Sequence, residues 1–214
     1  MTTIATDVIR AGAPINAARA AVVLVHGRGA SAEGMLGLAD AFGAQDLAYF
    51  APRAPSSSWY PYSFMAPIPQ NEPQLSNALN MLASTVDELD RQGVPSERIV
   101  LLGFSQGACL ALEFAARNAR RYGGVVGLSG GLIGPEATPR NYSGSLAQTP
   151  VFLGCSDVDT HIPLARVHES TEILSKLGGD VVEKIYQGMG HTIVQDEIEH
   201  VQKILREIDF PPKR

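Results

Sequence analysis

Three short segments of this chain hold residue types suited to nucleophilic chemistry. The first is "LLGFSQGACL", residues 101–110, in which Ser105 stands between two glycines where an apolar run meets small helix formers. A sharp strand-to-helix turn of this kind pushes its serine out of the backbone and exposes the hydroxyl. The pattern does not decide the matter alone, because "GLSGG", residues 127–131, also satisfies it around Ser129. A serine hydroxyl is a poor nucleophile until a base takes its proton, usually a histidine that a carboxylate holds in place. The partners therefore decide which serine counts.

In doubly wound α/β enzymes the order along the chain is Ser, then Asp or Glu, then His, the last two just after later strands. His26 precedes Ser105 and is out of order. His168 and His200 lie among charged neighbours inside expected helices and read as solvated. His161 is only two residues past Asp159, too close to present its ring independently. His191, in "QGMGHTI", falls between the last expected strand and the last helix, and both position and order favour it. For the acid, "CSDVDTHIP" offers Asp157 and Asp159. Asp159 is preferred because it stands before the turn into the next helix, while Asp157 suits a bond to loop backbone.

Ester chemistry also needs donors for an oxyanion. The Gln106 N–H, first in its helix, is one candidate, and the Arg28 N–H in "HGRGAS" is the other. The Arg28 side chain is expected in solvent or facing an anionic group at the pocket mouth. Ser129 loses on context: "LIGPEATPRNYSGS" follows it, with no helix to shape an elbow.

The elements that must position these residues are legible as runs. Residues 20–27, 46–52, 97–104, 123–130, 149–155 and 180–186 read as strands, and 4–10 as a further edge strand. Most are continuous Val, Leu and Ile stretches without polar alternation, as in parallel strands covered on both faces. Leu75, Leu79, Leu82, Val86 and Leu89 form one helical stripe, with Asn71 and Pro73 suited to its start and Gly93 to its end. Val194, Ile198, Val201, Leu205 and Ile208 form another, and a third helix opens at Pro163 and stops at Gly178. The alternation implies an open α/β sheet with helices on both faces in a single domain, residues 1–214.

Residues 51–73, "APRAPSSSWYPYSFMAPIPQNEP", break the pattern. Their prolines speak against a helix or central strand. Following a strand's carboxyl end, where open sheets bind ligands, the loop is expected to form a pocket wall through Trp59, Tyr60, Phe64 and Met65.

Composition excludes several classes. A net charge of −5 without a basic patch speaks against nucleic acid. The apolar run "AAVVLV" is far too short to span a bilayer, so stable membrane insertion is not expected. "MTTIATDVIRAG" does not read as a signal peptide, and a cytoplasmic location follows as the expectation. Cys109 and Cys155 read as buried thiols in a reducing compartment. His161 and His168 are seven residues apart, off one helical face, so no metal and no cofactor is called for.

Together "LVHGRGAS", "APRAP", "LLGFSQGACLAL", "GLSGGL", "DVDTHIP" and "GMGHTI" resemble the phospholipase/carboxylesterase family of α/β-hydrolases, which includes acyl-protein thioesterases. The resemblance spans roughly residues 20–205. It implies an α/β-hydrolase fold with a mostly parallel sheet and no large cap domain. It also implies Ser105, Asp159 and His191 as a triad, and the Arg28 and Gln106 amides as an oxyanion hole. Homodimers occur in that family. The chain departs from it at Ala30, where Asp is frequent, and at Asp-Thr-His-Ile-Pro, where Asp-Pro-x-Val-Pro is frequent. The expected function is a serine carboxylesterase acting on short- to medium-chain esters through an acyl-enzyme. A lysophospholipase or thioesterase, and a non-catalytic binding module on the same fold, are the alternatives.

Overall fold

The computed structural model describes residues 7–208, in which seven strands form one sheet. They are β1 (Val8–Gly12), β2 (Ala20–Val25), β3 (Leu47–Pro52), β4 (Ile99–Phe104), β5 (Gly124–Leu128), β6 (Pro150–Ser156) and β7 (Asp180–Tyr186). The order across the sheet is β1-β3-β2-β4-β5-β6-β7, with β1 antiparallel to β3 and every other pair parallel. The edge strand expected over 4–10 begins at Val8; residues 4–6 lie outside the described range.

Six helices accompany the sheet: α1 (Ala32–Phe42), α2 (Ile68–Asn71), α3 (Gln74–Arg91), α4 (Gln106–Arg117), α5 (Leu164–Lys176) and α6 (Gln195–Arg206). The central strands have no polar face because both faces are covered. In β2, Ala21, Val23 and Val25 pack into a core shared with α3, α4 and α5. Ala20, Val22 and Leu24 pack into a second core beneath α1 and α6. The strand period of two divides one apolar run between two cores. No described connection is large enough to form a cap domain.

Two expectations need correction. Residues 51–73 are not wholly irregular: Pro55–Ser57 make a 3-10 turn and α2 is one helical turn. Proline at the first positions of a turn costs little, since the missing N–H has no partner there anyway. Asn71 does not cap α3, which starts after Pro73. Its buried amide instead accepts from Tyr62 N–H at 2.9 Å and donates to the Ser63 carbonyl at 2.9 Å, pinning the loop. No helix among the described residues is long and apolar enough to cross a membrane.

Candidate active site

Ser105 links β4 to α4 at φ 55° and ψ −120°, a strained conformation for a residue with a side chain. Its N–H donates to the Leu128 carbonyl at 2.9 Å and its carbonyl accepts from Cys109 N–H at 3.0 Å, so strand and helix both hold the turn. The flanking glycines are forced by packing. A Cβ on Gly103 would lie 2.2 Å from the Gly107 carbonyl oxygen, and one on Gly107 would lie 2.1 Å from the Val25 carbonyl oxygen. Ser129 also has a positive φ, 51°, but is fully buried and no helix follows it. It has no access to a substrate.

The loops after β6 and β7 bring the partners. The His191 Nε2 lies 2.8 Å from Ser105 Oγ, and its Nδ1 lies 2.7 Å from Asp159 Oδ2. Asp159 Oδ1 accepts the backbone N–H groups of His161 and Ile162 at 2.8 and 3.1 Å, and the Cys155 thiol points at Oδ2 from 3.8 Å. Burial works to raise the Asp159 pKa, but the His191 hydrogen bond and the two backbone donors outweigh it and hold the carboxyl below its ordinary value. Asp157 does not reach the imidazole. Its Oδ1 accepts the Gly188 N–H at 2.8 Å and the Ser156 hydroxyl donates to the Met189 carbonyl, so the two together anchor the loop that carries His191.

His26 is a brace. Its Nε2 accepts the Ala54 N–H at 3.1 Å, which leaves Nδ1 as the donor to the Gly27 carbonyl at 2.8 Å. His168 is exposed beside Glu183, as expected of a solvated residue, whereas His200 is half-buried with its ring stacked on Phe152 at 4.7 Å.

The Arg28 side chain is exposed, as expected, but its guanidinium is tied down. Its Nη1 and Nη2 donate to the Pro61 and Tyr62 carbonyls at 2.7 and 2.6 Å. The Gln106 side chain accepts from Trp59 N–H at 2.9 Å and donates to the Tyr60 carbonyl at 2.8 Å. Both residues expected to present backbone donors thus also latch the segment 59–62. As the first residue of α4, Gln106 has an N–H without an acceptor in its own helix.

A cavity of about 450 Å³ opens over Ser105, His191, Arg28 and Gln106. Tyr60 and Phe64 line it as expected, but Trp59 and Met65 do not. Trp59 is turned inward, its indole N–H donating to the His26 carbonyl at 2.7 Å, and Met65 packs half-buried against the core. Tyr62, Phe104, His161 and Ile162 also line it and were missed from the sequence. Phe104 precedes the nucleophile and His161 and Ile162 follow the acid, so proximity to the motifs was the available signal for these three, while Tyr62 lies in the loop already expected to form a wall.

The chain is similar in sequence and fold to known proteins. A family profile described as phospholipase/carboxylesterase matches residues 7–208. A phospholipase/carboxylesterase from Dyadobacter fermentans superposes with a TM-score of 0.91 at 44% identity, over 97% of this chain and 99% of that one. Acyl-protein thioesterase 1 of Gibberella zeae is 36% identical over 136 residues, a match spanning 63% of this chain and 56% of that protein. Acyl-protein thioesterase 1 of Saccharomyces cerevisiae is 28% identical over 92% of this chain and 96% of its own length.

Proposed function

Because the chain belongs to the phospholipase/carboxylesterase family, whose members are serine hydrolases, we propose that it cleaves carboxylic esters of short to medium acyl chains through an acyl-enzyme on Ser105. The observation that carries this reading is the unbroken chain from Ser105 Oγ through His191 to Asp159, with contacts of 2.8 and 2.7 Å, opening on the cavity.

In this mechanism Ser105 Oγ attacks the carbonyl carbon while His191 Nε2 takes its proton. Asp159 keeps Nδ1 protonated and stabilises the imidazolium. The Arg28 and Gln106 N–H groups receive the oxyanion; one such donor is worth about 3–4 kcal/mol in the transition state. Imidazolium then protonates the departing alcohol. Water, deprotonated by the same His191, releases the acid and restores Ser105.

A thioester reading has one specific support, the acyl-protein thioesterase relatives. The same residues would serve it, with less need for acid catalysis because a thiolate leaves more easily than an alkoxide.

The test is hydrolysis of p-nitrophenyl acetate, butyrate, octanoate and palmitate, and of butyryl and palmitoyl thioesters, by wild type and Ser105→Ala. Loss of the serine should lower kcat by up to about 10⁶-fold. An acyl groove that buries each added methylene would favour octanoate over butyrate by as much as roughly 100-fold. A variant as active as wild type defeats the assignment. A palmitoyl thioester turned over faster than every oxygen ester favours the second reading.

A further inference from the structure

The His191 imidazole packs against two rings. The Phe104 centroid lies 5.0 Å away with planes tilted by 38°, and His161 meets the imidazole in a T-shape at 4.8 Å and 64°. His161 is exposed and lines the cavity, yet its backbone is fixed, because its N–H donates to Asp159 Oδ1 at 2.8 Å. The carboxylate that holds His191 from Oδ2 thus also sets where the His161 ring stands. Among the described residues the His161 ring nitrogens have no hydrogen-bond partner, so its contact with His191 is one of shape and ring electrostatics.

Apart from the bond to Ser105 that must break during turnover, His191 is held by a polar contact at one atom, Nδ1. Rotation about the side-chain bonds of His191 is then resisted by that single polar contact, and the side chain is 19% exposed. We infer that His161 is a positioning residue for His191, its ring packing with that of Phe104 against the imidazole so that Nε2 stays aimed at Ser105 Oγ through both acylation and deacylation. The same closeness to Asp159 that disqualifies His161 as the base places its ring here.

This inference rests on the esterase reading of Ser105 and His191. It is tested by steady-state hydrolysis of p-nitrophenyl butyrate by wild type, His161→Ala, His161→Phe and Ser105→Ala, all as the full chain and with circular dichroism to confirm folding. Misplacing a catalytic group by an ångström costs up to about 100-fold, so His161→Ala should lower kcat by roughly 10- to 100-fold. Both half-reactions use the one imidazole and slow together, so KM should stay within about 2-fold. His161→Phe, which keeps a ring and removes the nitrogens, should recover most of kcat. Unchanged kcat in His161→Ala overturns the inference, and so does a loss carried wholly by KM, which would make His161 a substrate wall. His161→Phe as slow as His161→Ala also overturns it, by showing that the nitrogens matter. Ser105→Ala as active as wild type defeats the underlying reading instead.

Discussion

Glu197 makes the chain's stability depend on pH in an uncommon direction. Its side chain is fully buried in the first turn of α6 beneath β6, where a Cβ on Gly154 would lie 2.2 Å from Oε1. Oε2 accepts the Val194 N–H at 2.9 Å, but Oε1 has no hydrogen-bond partner. Burial, helped by the neighbouring Asp196, pushes the carboxyl up to about 7 from an ordinary 4.5, against the opposing effect of the Val194 N–H. The folded state therefore holds its proton at pH values where the unfolded chain has released it. This contribution is fully present below the unfolded value near 4.5 and is lost as pH rises through about 7. A shift of this size corresponds to about 3 kcal/mol, of which about 2.5 kcal/mol falls between about pH 5 and pH 9.

Glu197→Gln keeps an oxygen for Val194 N–H and removes the ionisation. Urea unfolding followed by circular dichroism at the two pH extremes should show the wild-type midpoint falling by about 1 M more than that of the variant, taking an m-value of about 2 kcal/mol per molar. Other titrating groups contribute equally to both proteins and cancel in the comparison. Parallel loss of stability in the two proteins would refute the reasoning.

Further outcomes follow from the same geometry. Asp159→Asn should lower kcat by about 10⁴-fold with little change in fold, because the amide leaves the imidazole in the wrong tautomer; a loss under about 10-fold in the ester assay would contradict this. Gly107→Ala should destabilise the protein by about 3 kcal/mol or more, visible as a lower melting temperature, since its Cβ has only backbone to meet. Cys109 and Cys155 are buried, and burial pushes both thiols up to about 12, so Ellman's reagent should label neither until the protein is unfolded. Rapid labelling of the native protein would contradict that placement.

The central strands were legible because parallel strands covered on both faces must be apolar throughout, and α3 and α6 because one stripe on each meets a core. Helix α1 was not, because Gly34 and Gly37 dilute its pattern; its one clear signal is Ser31, whose hydroxyl accepts the Gly34 N–H at 3.1 Å. The order of Ser105, Asp159 and His191 could be read because each follows a strand at the same sheet edge. Which rings face the cavity could not. Tyr60 and Trp59 are adjacent, and their directions are set by hydrogen bonds to Gln106 and His26, which are remote in sequence. Glu197 was invisible for a related reason. An acid in a helix's first turn normally reads as a solvated partner of the dipole, and only the fold of β6 above it buries it.

The hydrogen bonds of the latch formed by Arg28 and Gln106 grip the segment 59–62 by its main chain: the Tyr60, Pro61 and Tyr62 carbonyls and the Trp59 N–H. Of the side chains there, the Tyr60 ring also meets Arg28, whose guanidinium lies 6.0 Å from its centroid, whereas the Tyr62 side chain is exposed and takes no part in these bonds. The wall can therefore change its chemistry, by substitution at the exposed Tyr62, while the amides beside Ser105 keep their places. Selectivity and turnover are separable traits in this scaffold, and a designer or a lineage can alter the first without rebuilding the second.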